Sequence, residues 1–297
     1  MLNCIRGVSQ LGTPPFATLD PFLFAVYHKD NYPAGNAKME APRMGNGADF
    51  DHSAPYRMYR KCLRVSLCIC IYNFILCVFI HVCVYSASLT RTNPHPTDGE
   101  RVPGFPSHPH RGFETLTATI EGLVDHADST GCAGRYGQGD NQWMTAGKGI
   151  QHSEMFPLIN QTSPNPLRFF QIWLNLPGAK KLVDPFFVMH WAEEVPKFVS
   201  LDGLTSGTIF AGELEGKKGL APPPNSWAAT KENEVAVWHI TLKPGAQFAL
   251  PVAKGGQDIN RQVYFIEGKA LTVGDQAMNE HVIVNLNAGI TAELHNH

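Results

Sequence analysis

After residue 98 the chain keeps the two-residue rhythm of β-strands. Short runs rich in β-branched and aromatic residues alternate with clusters of Gly, Pro, Asn and Asp. FETLTATIEGLVDHAD reads as a strand, a Glu-Gly turn and a returning strand, and RFFQIWLNL, VAVWHITL, QVYFIEG, ALTVG and VIVNL repeat the style. Segments with a helical period are scarce, so the pattern predicts an all-β fold of two-sheet sandwiches or barrels. LVDPFFVMHWAEEVPKF, between Pro177 and Pro196, reads as a connector with a helical turn and puts a boundary near residue 198. PGAQF and QVYFIEGKALTVGD in the second half echo PGFPSHPHRGFETLTATIEG in the first, which predicts two similar β domains in tandem.

One apolar run breaks this rhythm. From Val65 to Thr90 no acidic or basic residue occurs apart from His81, and Arg57, Arg60, Lys61, Arg64 and Arg91 flank the run. Its length suits a bilayer, which needs about 20 residues, and the flanking charge would put the N-terminal side in the cytoplasm. A span here would place residues 1–60 and 98–297 on opposite sides of a membrane, which one domain cannot tolerate. The preferred reading is therefore an insertion over 61–97 that the fold does not require, such as translated intron sequence. A membrane-tethered protein is the alternative, resting on residues 65–90 alone.

Composition narrows the function classes. The chain has 297 residues, of which 43% are hydrophobic, enough for one or two packed domains. The formal net charge of −2 gives no basic excess, so direct nucleic-acid binding is not expected. Five of seven cysteines (Cys62, Cys68, Cys70, Cys77, Cys83) fall in or beside the apolar run. Cys4 and Cys132 make no disulfide framework, which predicts a reduced, intracellular protein. MLNCIRGVSQLGTPPF does not read as a secretory leader.

Two motifs carry chemistry. His108-Pro109-His110 is followed by RGFET, and GDNQWMTAGKGIQ runs into His152-Ser153-Glu154. In a strand, residues two apart share a face. His108 with His110, and His152 with Glu154, can therefore aim at common points. If the two strands face each other, three imidazoles and a carboxylate converge. That set suits Fe(II), Mn, Ni, Cu or Zn with one or two positions left for an oxygen-bearing substrate. His295-Asn296-His297 has no partner motif and reads as accidental, and His95, His126 and His281 read as single surface residues. Glu114 is expected to be a structural hydrogen-bond acceptor, and Phe113, Trp143, Met144 and Phe156 to line the pocket or pack the barrel, most of them packing. The glycines of AGKGIQH read as turn formers and not as a phosphate loop.

HPHRGFET and GDNQWMTAGKGIQHSEM resemble the two signature segments of pirins, within the cupin superfamily. LDPF at residues 19–22 and RFFQIWLNLP resemble further family segments, and the likeness covers roughly residues 15–35 and 98–297. The resemblance implies a bicupin: residues 1–60 and 98–197 form a metal-binding N-terminal cupin, and residues 198–297 a C-terminal cupin without metal. It implies one non-haem Fe(II) held by His108, His110, His152 and Glu154. It further implies a quercetin-type flavonol 2,3-dioxygenase that uses O₂ and releases carbon monoxide, with Glu154 as proton acceptor from the substrate's 3-hydroxyl. The alternative it carries is an iron-dependent co-regulator that binds a transcription factor in the nucleus or cytoplasm without turnover. The sequence departs from the family pattern in residues 61–97, and it ends at His297 where the family continues with a further strand or two, so the second cupin is expected to be truncated.

Overall fold

The computed structural model describes residues 3–12, 14–41, 75–82, 102–279 and 281–297. Strands fill it, and among the described residues the only helices are short 3-10 turns. Along the first half run β1 (Ile5–Gln10), β2 (Phe22–Tyr32), β3 (Ile75–Val82), β4 (Gly104–His110), β5 (Phe113–Glu121) and β6 (Leu123–Asp128). They are followed by β7 (Ala133–Gly137), β8 (Asn141–Thr145), β9 (Ile150–Met155), β10 (Asn165–Asn175) and β11 (Phe186–His190). The second half holds β12 (Lys197–Val199), β13 (Thr205–Ala211), a ribbon β14 (Glu213–Leu214) and β15 (Lys217–Lys218), β16 (Ala236–Leu242) and β17 (Gln247–Leu250). It closes with β18 (Asn260–Glu267), β19 (Leu271–Val273), β20 (Gln276–Met278), β21 (Val282–Asn287) and β22 (Ala292–His295).

Two sandwiches result. The first packs the sheet β11-β8-β5-β10-β2 against β4-β9-β6-β7, and the second packs β1-β21-β18-β3-β16-β13-β12 against β17-β22-β19-β20. Strand β10 shows how the sequence builds both a site and a domain contact. Leu167, Phe169, Gln171 and Trp173 point into the first sandwich. Phe170, Ile172 and Leu174, one step out of phase, join Leu116, Trp143, Val237, Tyr264 and Ile283 in a core between the two large sheets. A strand covered on both faces reads as a nearly continuous apolar run, as RFFQIWLNL does. Across the same junction Glu267 of β18 accepts a hydrogen bond from Tyr27 at 2.5 Å and pairs with Lys29 at 3.1 Å.

The structure departs from the sequence reading in three places. Ile5–Gln10, grouped with the N-terminal domain, pairs antiparallel with β21 in the second sandwich, so the first strand crosses over. The stretch read as a connector contains β11, which pairs with β8 and extends the first sandwich. Its helical turn is confined to Trp191–Val195, where Val195 N–H bonds the carbonyl of Trp191 at 3.0 Å. Within the apolar run, Ile75–Val82 stands as a strand parallel to both β16 and β18. Hydrophobicity alone cannot tell a membrane segment from a central strand. The expectation that 61–97 is dispensable therefore meets eight residues that sit in a ladder; the rest of that segment, its flanking charges and His95 lie outside the described residues. Among the described residues no helix is long and apolar enough to cross a membrane.

Candidate metal centre

The site grows from the sheet β4-β9-β6-β7. In the β4–β9 ladder Phe105 faces Glu154 and His108 faces His152, so β4 carries one residue more than its partner between these pairs. Such a bulge re-aims the side chains that follow it. It also frees the carbonyl of Pro106, which lies 2.7 Å from His108 Nδ1. A carbonyl only accepts, so His108 holds its proton on Nδ1 and presents Nε2 as a lone pair.

His108, His110 and His152 are all buried, and one ring nitrogen from each lies within 4.8 Å of the others. His108 Nε2 and His110 Nε2 are 3.2 Å apart. Two imidazole nitrogens each about 2.1 Å from one ion stand roughly 3 Å apart when their bonds are near perpendicular. His152 Nε2 is buried and has no hydrogen-bond partner among the described residues. Burial, reinforced by His152 and His108, holds His110 well below the usual histidine range. Burial first, then His108 and His126, takes His152 down to about 2. Imidazoles that turn a lone pair to the ion are the state that ligates a metal, and the three clustered ring nitrogens fit a divalent ion.

Glu154, also expected here, is buried but engaged elsewhere. Its Oε2 accepts from Gln171 Nε2 at 2.7 Å, and its Oε1 accepts from Thr117 Oγ1 at 3.2 Å and Tyr136 Oη at 3.4 Å. Three donors on β5, β7 and β10 thus hold the carboxylate, and it stands outside the close group of imidazoles.

His126 differs from the sequence reading. It is buried, with its Nε2 2.9 Å from Asp128 Oδ2 and its Nδ1 3.5 Å from His152 Nδ1. In register, His126 faces Glu154 and Asp128 faces His152. The signal was available: VDHAD alternates, and its His and Asp are two apart, like the motifs singled out. No motif in the sequence marks Trp173, yet its ring is 5.1 Å from His110 and 4.3 Å from Phe113. Phe113 therefore flanks the histidines, whereas Trp143, Met144 and Phe156 pack in hydrophobic clusters. Glu114 accepts from Thr145 at 2.6 Å and Trp143 at 3.3 Å, in the structural role expected of it. His281 is exposed and His297 bonds Thr272 at the surface.

The family model described as Pirin matches residues 77–174, a stretch that begins inside the apolar run and contains every residue of the site named above. The match places residues 77–174 in the pirin family. It is 37% identical to human pirin over 183 residues, covering 61% of this chain and 57% of that one. It is 35% identical over 177 residues to a Pseudomonas aeruginosa protein named "putative quercetin 2,3-dioxygenase", covering 60% of this chain and 58% of that one. The chain thus spans somewhat over half the length of the curated relatives it matches. Among solved structures, a quercetin 2,3-dioxygenase from Acinetobacter baumannii superposes with a TM-score of 0.65 at 23% identity, covering 99% of this chain and 82% of that one. That likeness shows the fold, a bicupin. The pirin match and the three-histidine cluster together imply a metal-binding cupin.

Proposed function

We propose that this protein is a non-haem iron flavonol 2,3-dioxygenase, with Fe(II) held by His108, His110 and His152 and with Glu154 as fourth ligand and proton acceptor. The observation that carries the reading is the clustering of three buried imidazoles, with the Nε2 of His152 left without a hydrogen-bond partner among the described residues. When bound, the ion supplies Lewis acidity and a centre at which O₂ and a flavonol can react. Glu154 keeps Oε2 on Gln171, while Oε1, held by the longer bonds to Thr117 and Tyr136, is the oxygen that would exchange those bonds for the ion. That carboxylate takes the proton of the substrate's 3-hydroxyl. Trp173 and Phe113 offer a flat aromatic wall beside His110, suited to a planar polyphenol. The names of relatives point the same way. We place the protein in the nucleus or cytoplasm, and among Mn, Ni, Cu, Zn and iron we favour iron.

The test is protein loaded anaerobically with Fe(II), then given quercetin and O₂. Consumption of O₂ matched by release of carbon monoxide, abolished in His108→Ala, is expected. An iron-loaded protein that leaves O₂ untouched would sink the enzyme reading and leave the co-regulator reading, in which a transcription factor is the partner.

A further inference from the structure

His126 and Asp128 share one face of β6, and their side chains are 2% and 0% exposed, so water does not compete for their hydrogen bonds. Asp128 Oδ1 is occupied by donors alone: the N–H of Thr130 at 2.8 Å, its hydroxyl at 2.6 Å and the N–H of Cys132 at 3.3 Å. Oδ2 faces His126 Nε2 at 2.9 Å. A carboxylate only accepts, so a proton of His126 sits on Nε2, and in the neutral ring its Nδ1 is a lone pair. That lone pair meets His152 Nδ1. Two lone pairs do not bond, so His152 donates from Nδ1 and keeps Nε2 bare. The opposite arrangement would put a proton on His152 Nε2, a buried atom with no acceptor in reach among the described residues.

We propose that Asp128 and His126 are positioning residues that fix the tautomer of His152, handing the polarity of a carboxylate through one imidazole to a second so that its Nε2 lone pair is held ready for the metal. Metal-ligating histidines commonly lean on a carboxylate through their other nitrogen; here an extra ring lies between the two. The consequence for metal affinity rests on reading His152 as a ligand, whereas the tautomer itself does not.

Asp128→Asn gives the sharpest test. Its Oδ1 must stay on the N–H groups of Thr130 and Cys132, which turns its amide N–H toward His126 Nε2. His126 then carries its proton on Nδ1, donates to His152 Nδ1, and His152 becomes protonated on Nε2. The near-isosteric change should therefore harm more than Asp128→Ala, which leaves His126 free to choose. Fe(II) affinity, measured anaerobically against a competing chelator, should fall on the order of 10- to 100-fold in Asp128→Asn, and less in Asp128→Ala. Long-range ¹H–¹⁵N correlations on the metal-free wild type should show His152 as the Nδ1–H tautomer, a readout needing no variant. His152 found as the Nε2–H tautomer, or a folded Asp128→Asn within twofold of wild-type affinity, would overturn the proposal. A wild type that binds no Fe(II) yet shows the Nδ1–H tautomer would instead fail the metal reading and uphold the relay.

Discussion

Gln171 donates its side-chain N–H to Glu154 Oε2 at 2.7 Å, across the interior of the first sandwich from β10 to β9. Both side chains are buried, so the bond has no aqueous substitute. Gln171→Leu should cost about 1–3 kcal/mol, the usual penalty for stranding a buried acceptor. Removing both partners is gentler than the sum, so Glu154→Leu/Gln171→Leu should show a coupling of about 1 kcal/mol in a double-mutant cycle. Urea unfolding of the metal-free protein measures each corner. Additive losses would mean that the two side chains do not depend on each other.

The neutral imidazoles make the metal-free protein acid-sensitive. His152 is lowered to about 2 in the folded state by burial first, then by His108 and His126, while an unfolded histidine titrates near 6.5. Below that value the unfolded chain binds the extra proton and the native one does not. Stability is therefore whole above about pH 6.5 and declines as the pH drops. At pH 5 the loss from His152 alone is about 2 kcal/mol. Comparing urea midpoints of wild type and His152→Phe at pH 7.5 and pH 5 checks this; the gap between them should narrow in acid.

Glu114 acts in the opposite sense. Burial raises its carboxyl to about 7, against the lowering pull of hydrogen bonds from Ser226, Thr145 and Trp143. The native state then holds a proton that the unfolded chain gives up near pH 4.5. Its contribution is full below the unfolded value and is lost as pH rises through about 7. The difference reaches about 3 kcal/mol at alkaline pH. Glu114→Gln removes the ionisation, so its stability should overtake wild type between pH 6 and 9. Parallel pH profiles for the two proteins would contradict the assignment.

Much of the centre was legible because strands repeat every two residues. His108 with His110 and His152 with Glu154 could be placed on shared faces from spacing alone. What spacing could not supply was the extra residue in β4 between Phe105 and His108, which sets His108 opposite His152. Nor could it supply Thr117, Tyr136 and Gln171, which reach Glu154 from three other strands. Long-range pairing also explains the errors of assignment. Nothing local in IRGVSQ says that it completes a sheet with β21 nearly the whole chain away. His126 was legible by the same rule that found the motifs, but as a single histidine it read as surface.

Trp173 links the metal centre to whatever binds there. Its ring packs 4.0 Å from Phe24 and 4.3 Å from Phe113, and lies 5.1 Å from His110. It meets a proposed ligand in a T-shaped contact without offering that ion a donor atom. Losing the ring should therefore spare Fe(II) binding while weakening a planar substrate. Stacking against an aromatic contributes about 0.5–1.5 kcal/mol beyond area burial, which corresponds to a rise in quercetin KM of roughly 2- to 13-fold in Trp173→Leu. Trp173→Phe keeps a flat face and should recover most of the loss. Steady-state O₂ consumption gives KM and kcat for each variant, with iron content measured in parallel. A fall in iron content to match the fall in turnover would show that Trp173 supports the metal centre itself and would remove it from the substrate wall.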